Sequence, residues 1–241
     1  GLTRDGKLRQ PRLGFLDYIL RDYHPDIDRD IVFIPVGINY DRVIEDKSLI
    51  RRLDEDAEKR SRWFVVKTTL RFFFKTLLMN RHLRWSRFGY ASVNFGHPIS
   101  AKKYCFDQNR DFSQLDQEAR FGCVQHLADS LMKEISNVIP ILPVALLCEL
   151  LLQHKTSWST EFEIKSLAMK RLQQLETLGA PIDIEPSSFE PIMSAALDML
   201  VGRGFVNIDN LRYQVNQNQM TVIEYYANSI VHWQQNVLTE I

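Results

Sequence analysis

The sequence predicts an α/β unit followed by a mainly helical one, and three observations carry that prediction. "IVFIPVGINY" (residues 31–40) is a run of apolar and β-branched residues typical of a strand buried on both faces. "RFGYASVNFGHPIS" (87–100) alternates Tyr90, Ser92 and Asn94 with Ala91, Val93 and Phe95 before breaking at Gly96 and Pro98, which reads as a strand. Beyond residue 105 the apolar spacing turns helical over several long stretches. At 241 residues, 45% hydrophobic and 25% charged, the chain has the composition of a globular protein with a sizeable core.

Taken in order, "GLTRDGK" (1–7) is a polar turn with two glycines around Thr3 and Arg4, closed by Lys7. "PRLGFLDYILRDY" reads as a helix of about three turns with Leu13, Leu16 and Leu20 on one face. "HPDIDRD" is a loop, and a helix leading into the 31–40 strand suggests an α/β sheet with parallel strands. "DRVIEDKSLIRRLDEDAEKRSR" is polar and half helical. "WFVVKTTLRFFFKTLLMN" (63–80) is an amphipathic helix with Lys67, Arg71 and Lys75 as a narrow basic stripe, and Trp63, Phe64, Phe73 and Phe74 among the apolar remainder. Character switches near Tyr104, where the polar "DQNRDFSQ" reads as a linker; this divides the chain into 1–104 and 105–241. Four helices follow, at about 114–138, 142–154, 161–179 and 188–204. A hairpin, "GFVNIDNLRYQVN", turns near Asp209-Asn210, and "VIEYYANSIVHWQQNVL" is the last helix.

The net charge of zero hides an asymmetry. Residues 1–104 carry 21 Lys and Arg against 13 Asp and Glu; residues 105–241 carry 9 against 17. No acidic residue lies between Glu58 and Asp107, where eleven basic ones do. A cationic, aromatic-rich stretch of this kind attracts anions such as lipid head groups or phosphates. The longest apolar run, "VIPILPVALLCELLL", contains two prolines and a glutamate and is too short to span a bilayer. Three widely spaced cysteines (Cys105, Cys123, Cys148) have neither metal-ligand nor redox spacing and read as buried free thiols.

Four segments resemble, in order, conserved blocks of the glycerol-3-phosphate 1-O-acyltransferase family, of the bacterial membrane-bound type. The family's third block ends Ser-Arg-x-Gly-Lys, and Thr3-Arg4-Asp5-Gly6-Lys7 stands in its place, with Leu2 where an Arg is usual. The fourth block is matched by Pro35, Val36, Ile38 and Tyr40. "VNFGHPIS" is similar to a late strand with Phe-Gly-Glu-Pro, His97 replacing the Glu. "YYANSIVHW" is similar to a Tyr-Tyr-x-Asn-x-Ile-x-His segment.

The resemblance implies the C-terminal part of an α/β acyltransferase domain (1–104) followed by a helical domain (105–241) with a winged-helix-like hairpin. It implies acyl transfer from acyl-CoA or an acyl carrier protein to the 1-hydroxyl of glycerol 3-phosphate, the first step of phospholipid synthesis. Arg4, Gly6 and Lys7 would hold the substrate phosphate; Pro35, Val36 and Tyr40 would wall the acyl donor. The family's His-x-x-x-x-Asp, whose His takes the hydroxyl proton, occurs nowhere in these residues. The chain is therefore expected to begin inside the third block, after the catalytic pair, and to be inactive alone. No cofactor or metal is expected. Trp63, Lys67, Arg71, Phe74 and Lys75 are the expected contacts with an anionic membrane surface, against the alternative that their helix is plain core, and they place the protein on the cytoplasmic face of a membrane as a peripheral or monotopic protein.

Two other functions compete. One is a non-catalytic membrane-surface scaffold. The other is a nucleic-acid-binding module, since the order of elements over 141–215 is that of a winged helix, although an acidic half is badly placed to contact phosphates. Several residues read as structural: His24 with Asp26, Asp28 and Asp30 as a solvated loop rather than a metal site, His232 as a satisfied packing histidine, and Tyr225, Tyr226, Cys123 and Cys148 as core.

Overall fold

In the computed structural model of the protein, residues 3–51 and 90–234 are described. The expected membrane-contact residues Trp63, Lys67, Arg71, Phe74 and Lys75, and the whole of their helix, lie outside them. The described residues combine helices with small sheets. Helix α1 (Leu13–Leu20) follows the apolar spacing of its sequence. Strands β1 (Val32–Phe33) and β2 (Val36–Tyr40) and the short helix α2 (Asp46–Arg51) come next. After residue 90 come β3 (Ala91–Phe95), β4 (Ile99–Ser100), α3 (Ala101–Gln108) and the long α4 (Gln117–Asn137). Then α5 (Pro143–Gln153), β5 (Ser159–Thr160), α6 (Glu161–Thr177) and α7 (Phe189–Gly202) lead to a hairpin of β6 (Val206–Asp209) and β7 (Arg212–Val215). Helix α8 (Met220–Ala227) follows, continued by a tighter 3-10 turn over Asn228–Ile230.

The helix starts are set by local chemistry. Ser100 accepts from the Lys103 N–H at the head of α3, and Asp116 accepts from the Ala119 N–H at the head of α4. Thr160 and Glu163 form a reciprocal capping box on α6. Helix α5 has no such cap of its own; its preceding residue, Leu142, offers no polar side chain, and Pro143 opens the first turn. The missing cap comes from far away in sequence, from Asp41.

Two apolar clusters form the core. The larger is built on α5, where every residue from Pro143 to Leu151 is buried, and gathers side chains from α6, α7, the β6–β7 hairpin and α8, together with Val43 and Leu49. The smaller packs Leu20 and Tyr23 against Ala101, Cys105, Phe112, Val124 and Leu127. Each cluster draws on residues from both sides of Tyr104, and α3 runs through that position. All three cysteines are free; Cys105 and Cys148 are buried and Cys123 is half-buried. The hairpin turns on Asn210 and Leu211, both at positive φ, one residue later than its sequence suggests.

The parallel-sheet expectation is overturned. Among the described residues the strand pairs β1–β4, β2–β3, β5–β7 and β6–β7 all run antiparallel, and parallel pairing is confined to an isolated bridge between Ile141 and Ile182. Nor is the 31–40 strand buried on both faces. Val36, Ile38 and Tyr40 lie opposite Phe95, Val93 and Ala91, and all six are exposed, Phe95 at 71%. The other face of this ribbon carries Gly37 and Asn39 opposite Asn94 and Ser92. It is an inverted ribbon, polar side in and apolar side out, the reverse of the usual one-sided sheet.

The inversion has a steric cause. The inner face lies directly on the backbone at the end of α4, so that a Cβ on Gly37 would sit 2.3 Å from the Val138 carbonyl oxygen. Only glycine permits that approach. Gly37→Ala should therefore cost at least about 2 kcal/mol of stability, read as a lowered urea midpoint. Gly122, exposed in α4 with open space around it, is the control: Gly122→Ala should stabilise by about 0.5–1 kcal/mol.

Candidate functional site

The residues implied by the resemblance meet at one cleft. It has a volume of about 270 Å³ and is lined by four segments far apart in sequence: the turn with Thr3, Gly6 and Lys7, strand β2 from Val36 to Tyr40, Ile135 and Ile139 at the end of α4, and Tyr225, Tyr226 and Ser229 of α8 and the turn that follows it. The remaining segment of the resemblance, "VNFGHPIS", supplies β3 and pairs with β2 along its whole length. Of the residues expected to hold phosphate, Gly6 and Lys7 line the cleft; Arg4 is exposed on the same turn. Of the expected acyl-donor wall, Val36 and Tyr40 line it, whereas Pro35 is buried beside Gly96 and accepts that residue's N–H at 2.8 Å.

The turn is shaped by Asp5, whose carboxylate accepts the Lys7 N–H at 3.2 Å, and by Gly6 at a φ of +80°. A Cβ on Gly6 would come within 2.0 Å of the Tyr225 carbonyl oxygen, so glycine is required twice over, for its dihedral and for the contact. The tip of the turn thus presents a cationic side chain and a tight backbone to the cleft, the elements that hold a phosphate monoester.

Behind the cleft, buried polar residues tie β2 to the helices. Asn39 Nδ2 donates to the Pro140 carbonyl at 2.9 Å and to Ser229 Oγ at 3.2 Å. Tyr226 Oη accepts the Val43 N–H at 3.0 Å and Arg203 Nη1 at 2.9 Å, and donates to Asp46 Oδ2 at 2.6 Å. Arg203 also pairs directly with Asp46 and lies over the Phe205 ring, 4.3 Å from its centroid. Burial pushes the Tyr226 hydroxyl upward, with the neighbouring Arg203 charge opposing. Burial works against the Arg203 cation, but the Tyr226 and Asp46 contacts outweigh it and keep the guanidinium charged.

Asp41 is the least expected of these groups. Its Oδ1 accepts the Val144 N–H at 3.0 Å and so caps α5, while Oδ2 accepts the Tyr90 N–H at 3.1 Å. It is 2% exposed. Burial raises its pKa to about 6, against the two N–H donors that favour the carboxylate. An aspartate after a Tyr gives no sequence signal for capping a helix a hundred residues away. After Asp41 and Asp46, a third buried carboxylate, Glu149, is held by Arg171 at 2.8 and 3.1 Å and by Gln234 at 2.7 Å.

The described histidines stay outside the cleft. The His24 N–H donates to Asp28, its Nδ1 contacts Ser113 Oγ at 2.9 Å, and Asp30 accepts from the Lys102 N–H at the head of α3. These are turn and cap contacts, and among the described residues no cluster of His, Cys, Asp or Glu could hold a metal. His232 is half-buried beside Trp233; desolvation lowers its pKa to about 4, a hydrogen bond to the Ser136 backbone opposing. Its Nε2 has no partner among the described residues, so it is a packing histidine that is only half satisfied.

Residues 73–234 match the family described as the glycerol-3-phosphate acyltransferase C-terminal region. The chain belongs to this family. It is 25% identical over 247 residues to a glycerol-3-phosphate acyltransferase of Pseudomonas syringae pv. syringae (strain B728a), covering 96% of this chain and 28% of the relative. It is 26% identical over 245 residues to the glycerol-3-phosphate acyltransferase of Pseudoalteromonas translucida (strain TAC 125), with the same coverage. The chain thus spans a little over a quarter of the length of the curated relatives it matches. Among the described residues no helix is long and apolar enough to cross a membrane.

Asp41 yields a pH prediction. The folded chain holds a proton at this site between about pH 4 and 6 that the unfolded chain has released, because the pKa rises from 3.8 to about 6 on folding. The stability this group contributes is complete below pH 4 and is lost as pH rises through 6. Asp41→Asn removes that dependence. Urea unfolding from pH 4 to 6.5 should show the wild type losing on the order of 3 kcal/mol relative to the variant; a flat difference would sink the assignment.

Proposed function

We propose that this chain is the substrate-phosphate and sheet-completing part of an acyltransferase that moves a fatty acyl group from acyl-CoA or an acyl carrier protein to the 1-hydroxyl of glycerol 3-phosphate. The observation that carries the reading is the meeting of three separated segments, each resembling a block of one family, at a single cleft, with the fourth paired to β2 beside it. The cationic Lys7, with Arg4 on the same turn, attracts the dianionic phosphate, and Gly6 allows the backbone to approach it. Val36 and Tyr40 offer apolar surface to the acyl donor. The alcohol oxygen attacks the thioester carbonyl, the carbon–sulfur bond breaks, and the thiol departs. The base that takes the alcohol proton is the family's His-x-x-x-x-Asp, a pair that this chain does not contain.

In this reading residues 1–104 complete an α/β catalytic domain, and the inverted ribbon supports that. An apolar face of six paired side chains makes poor sense against water and good sense beneath further chain. The relatives have that chain: this sequence covers 28% of them and matches a region described as C-terminal. We take the part of the longer protein that precedes this region as the occupant of the outer face around Ile38, Val93 and Phe95, with Val36 and Tyr40 left to the acyl donor at the cleft.

Residues 105–241 form the helical domain packed behind. Its helix, strand, helix, helix and hairpin over 143–215, with β5 beside β7, have the layout of a winged helix. Its excess of acidic residues opposes phosphate contacts, which favours protein packing over nucleic acid. The acid-free stretch before Asp107 suits an anionic membrane surface at the cytoplasmic side, where the protein would sit as a peripheral or monotopic enzyme.

Two measurements test this. The purified 241-residue chain should release no CoA from acyl-CoA in response to glycerol 3-phosphate, whereas in the longer protein Lys7→Ala should raise the KM for glycerol 3-phosphate roughly tenfold with little change in kcat. Ile38→Asp, on the ribbon's outer face, should leave the Tm of the isolated chain within about 2 °C yet lower that of the longer protein by several degrees. An equal effect in both would mean that nothing covers the ribbon.

A further inference from the structure

Within the turn that carries Lys7, the Lys7 N–H donates to Asp5 at 3.2 Å, and residues 3–10 are all exposed or half-buried. A grip from outside comes from the segment after α8. Asn228 Nδ2 donates to the Asp5 carbonyl oxygen at 2.8 Å, and the Tyr225 carbonyl forms the wall against which Gly6 packs without a side chain. Asn228 is half-buried, so its amide works in a partly desolvated setting where a hydrogen bond counts for more than in open water.

The same five residues grip the other side of the cleft. Ser229 Oγ accepts from Asn39 of β2 and donates to the Tyr226 carbonyl at 2.8 Å, and Tyr226 holds the Val43 N–H just beyond β2. Tyr226 and Ser229 thus fix the strand, while Tyr225 and Asn228 fix the turn. One short segment, 183 to 223 positions away in sequence, thus sets the turn and the strand against one another.

We propose that Asn228 is a positioning residue for the substrate phosphate: its amide fixes the Asp5 carbonyl and so the direction in which Lys7 points into the cleft. It touches no substrate itself. This rests on the reading of Lys7 as a phosphate ligand. A displaced turn weakens the hold on the phosphate while leaving the acyl-donor wall and the proton chemistry as they are, so its kinetic mark is a KM effect confined to one substrate.

The experiment uses the longer enzyme with Asn228→Ala and the nearly isosteric Asn228→Asp, which fits the same space but cannot donate to a carbonyl. Both should raise the KM for glycerol 3-phosphate roughly five- to tenfold, with kcat and the KM for acyl-CoA changed by less than about twofold. In a Lys7→Ala background Asn228→Ala should add little, because the group it positions is gone. Three results would overturn the proposal. If Lys7→Ala raises the KM and neither Asn228 variant does, the turn needs no such support and the phosphate reading stands without it. If both Asn228 variants depress kcat, both KM-derived affinities and Tm together, Asn228 is a general packing residue. If Lys7→Ala itself leaves the KM unchanged, the phosphate reading fails and takes this proposal with it.

Discussion

The described structure hangs on a carboxylate at the end of one strand. Asp41 caps the buried helix Pro143–Gln153, which has no polar residue of its own to offer, and holds the backbone just before β3 with its other oxygen. That helix is the centre of the larger core, with an unbroken buried run of nine residues. A helix N-terminus buried without a partner leaves amide donors unsatisfied, and each costs more than a surface bond returns. The strand therefore cannot move away from the helical part without exposing the head of its central helix. Asn39 and Asp46 repeat the arrangement on either side, each satisfied by groups from beyond residue 139. Beside the apolar clusters that both halves of the sequence share, a row of buried polar contacts joins them, more demanding of geometry than apolar packing alone.

That row explains why the ribbon is inverted. A strand whose inward side chains are Gly37 and Asn39 can lie on another backbone and hydrogen-bond to it; one with Ile38 or Val36 inward could not. With the polar set committed to the inside, period two puts every apolar residue of β2 outside. The same arrangement delivers the cleft. Because the strand is pinned at Asn39 and Val43 to Ser229 and Tyr226, its flank lies beside the segment that also carries Tyr225 and Asn228, and the Gly6 turn closes the remaining side.

Much of this was legible in the sequence, unevenly. Helix α1, the long α4, the helices from 143 onward and the β6–β7 hairpin follow from apolar spacing. The candidate site was legible only through ordered resemblance, since a turn with two cations is commonplace by itself. Strand direction was not legible: "IVFIPVGINY" has the composition of a doubly buried parallel strand, and composition says nothing about which partner it pairs with. The roles of Asp41, Asn39 and Asn228 were hidden for a related reason. A polar residue in an apolar stretch signals that something must satisfy it, but the satisfying group lies 101 residues away for Asn39 and 103 for Asp41. Local pattern carries no trace of such a distance.

The same reasoning bears on why a region without the reacting pair would be kept beside a catalytic domain. A phosphate-binding turn made of exposed polar residues has little intrinsic preference for one geometry, and holding it costs conformational entropy that a small apolar contact cannot offset. Here the restraint comes from a helix end whose own position is fixed by a deep core: Ile223, Tyr226 and Ile230 are each at most 2% exposed. Rigidity is passed from that core to a turn that has none. A loop held this way can be cationic, glycine-containing and open to solvent without wandering, because its geometry is set from outside by Asn228 and the Tyr225 backbone. On the proposed function, the helical part would serve the reaction without taking part in any bond change, by fixing the placement of a charge.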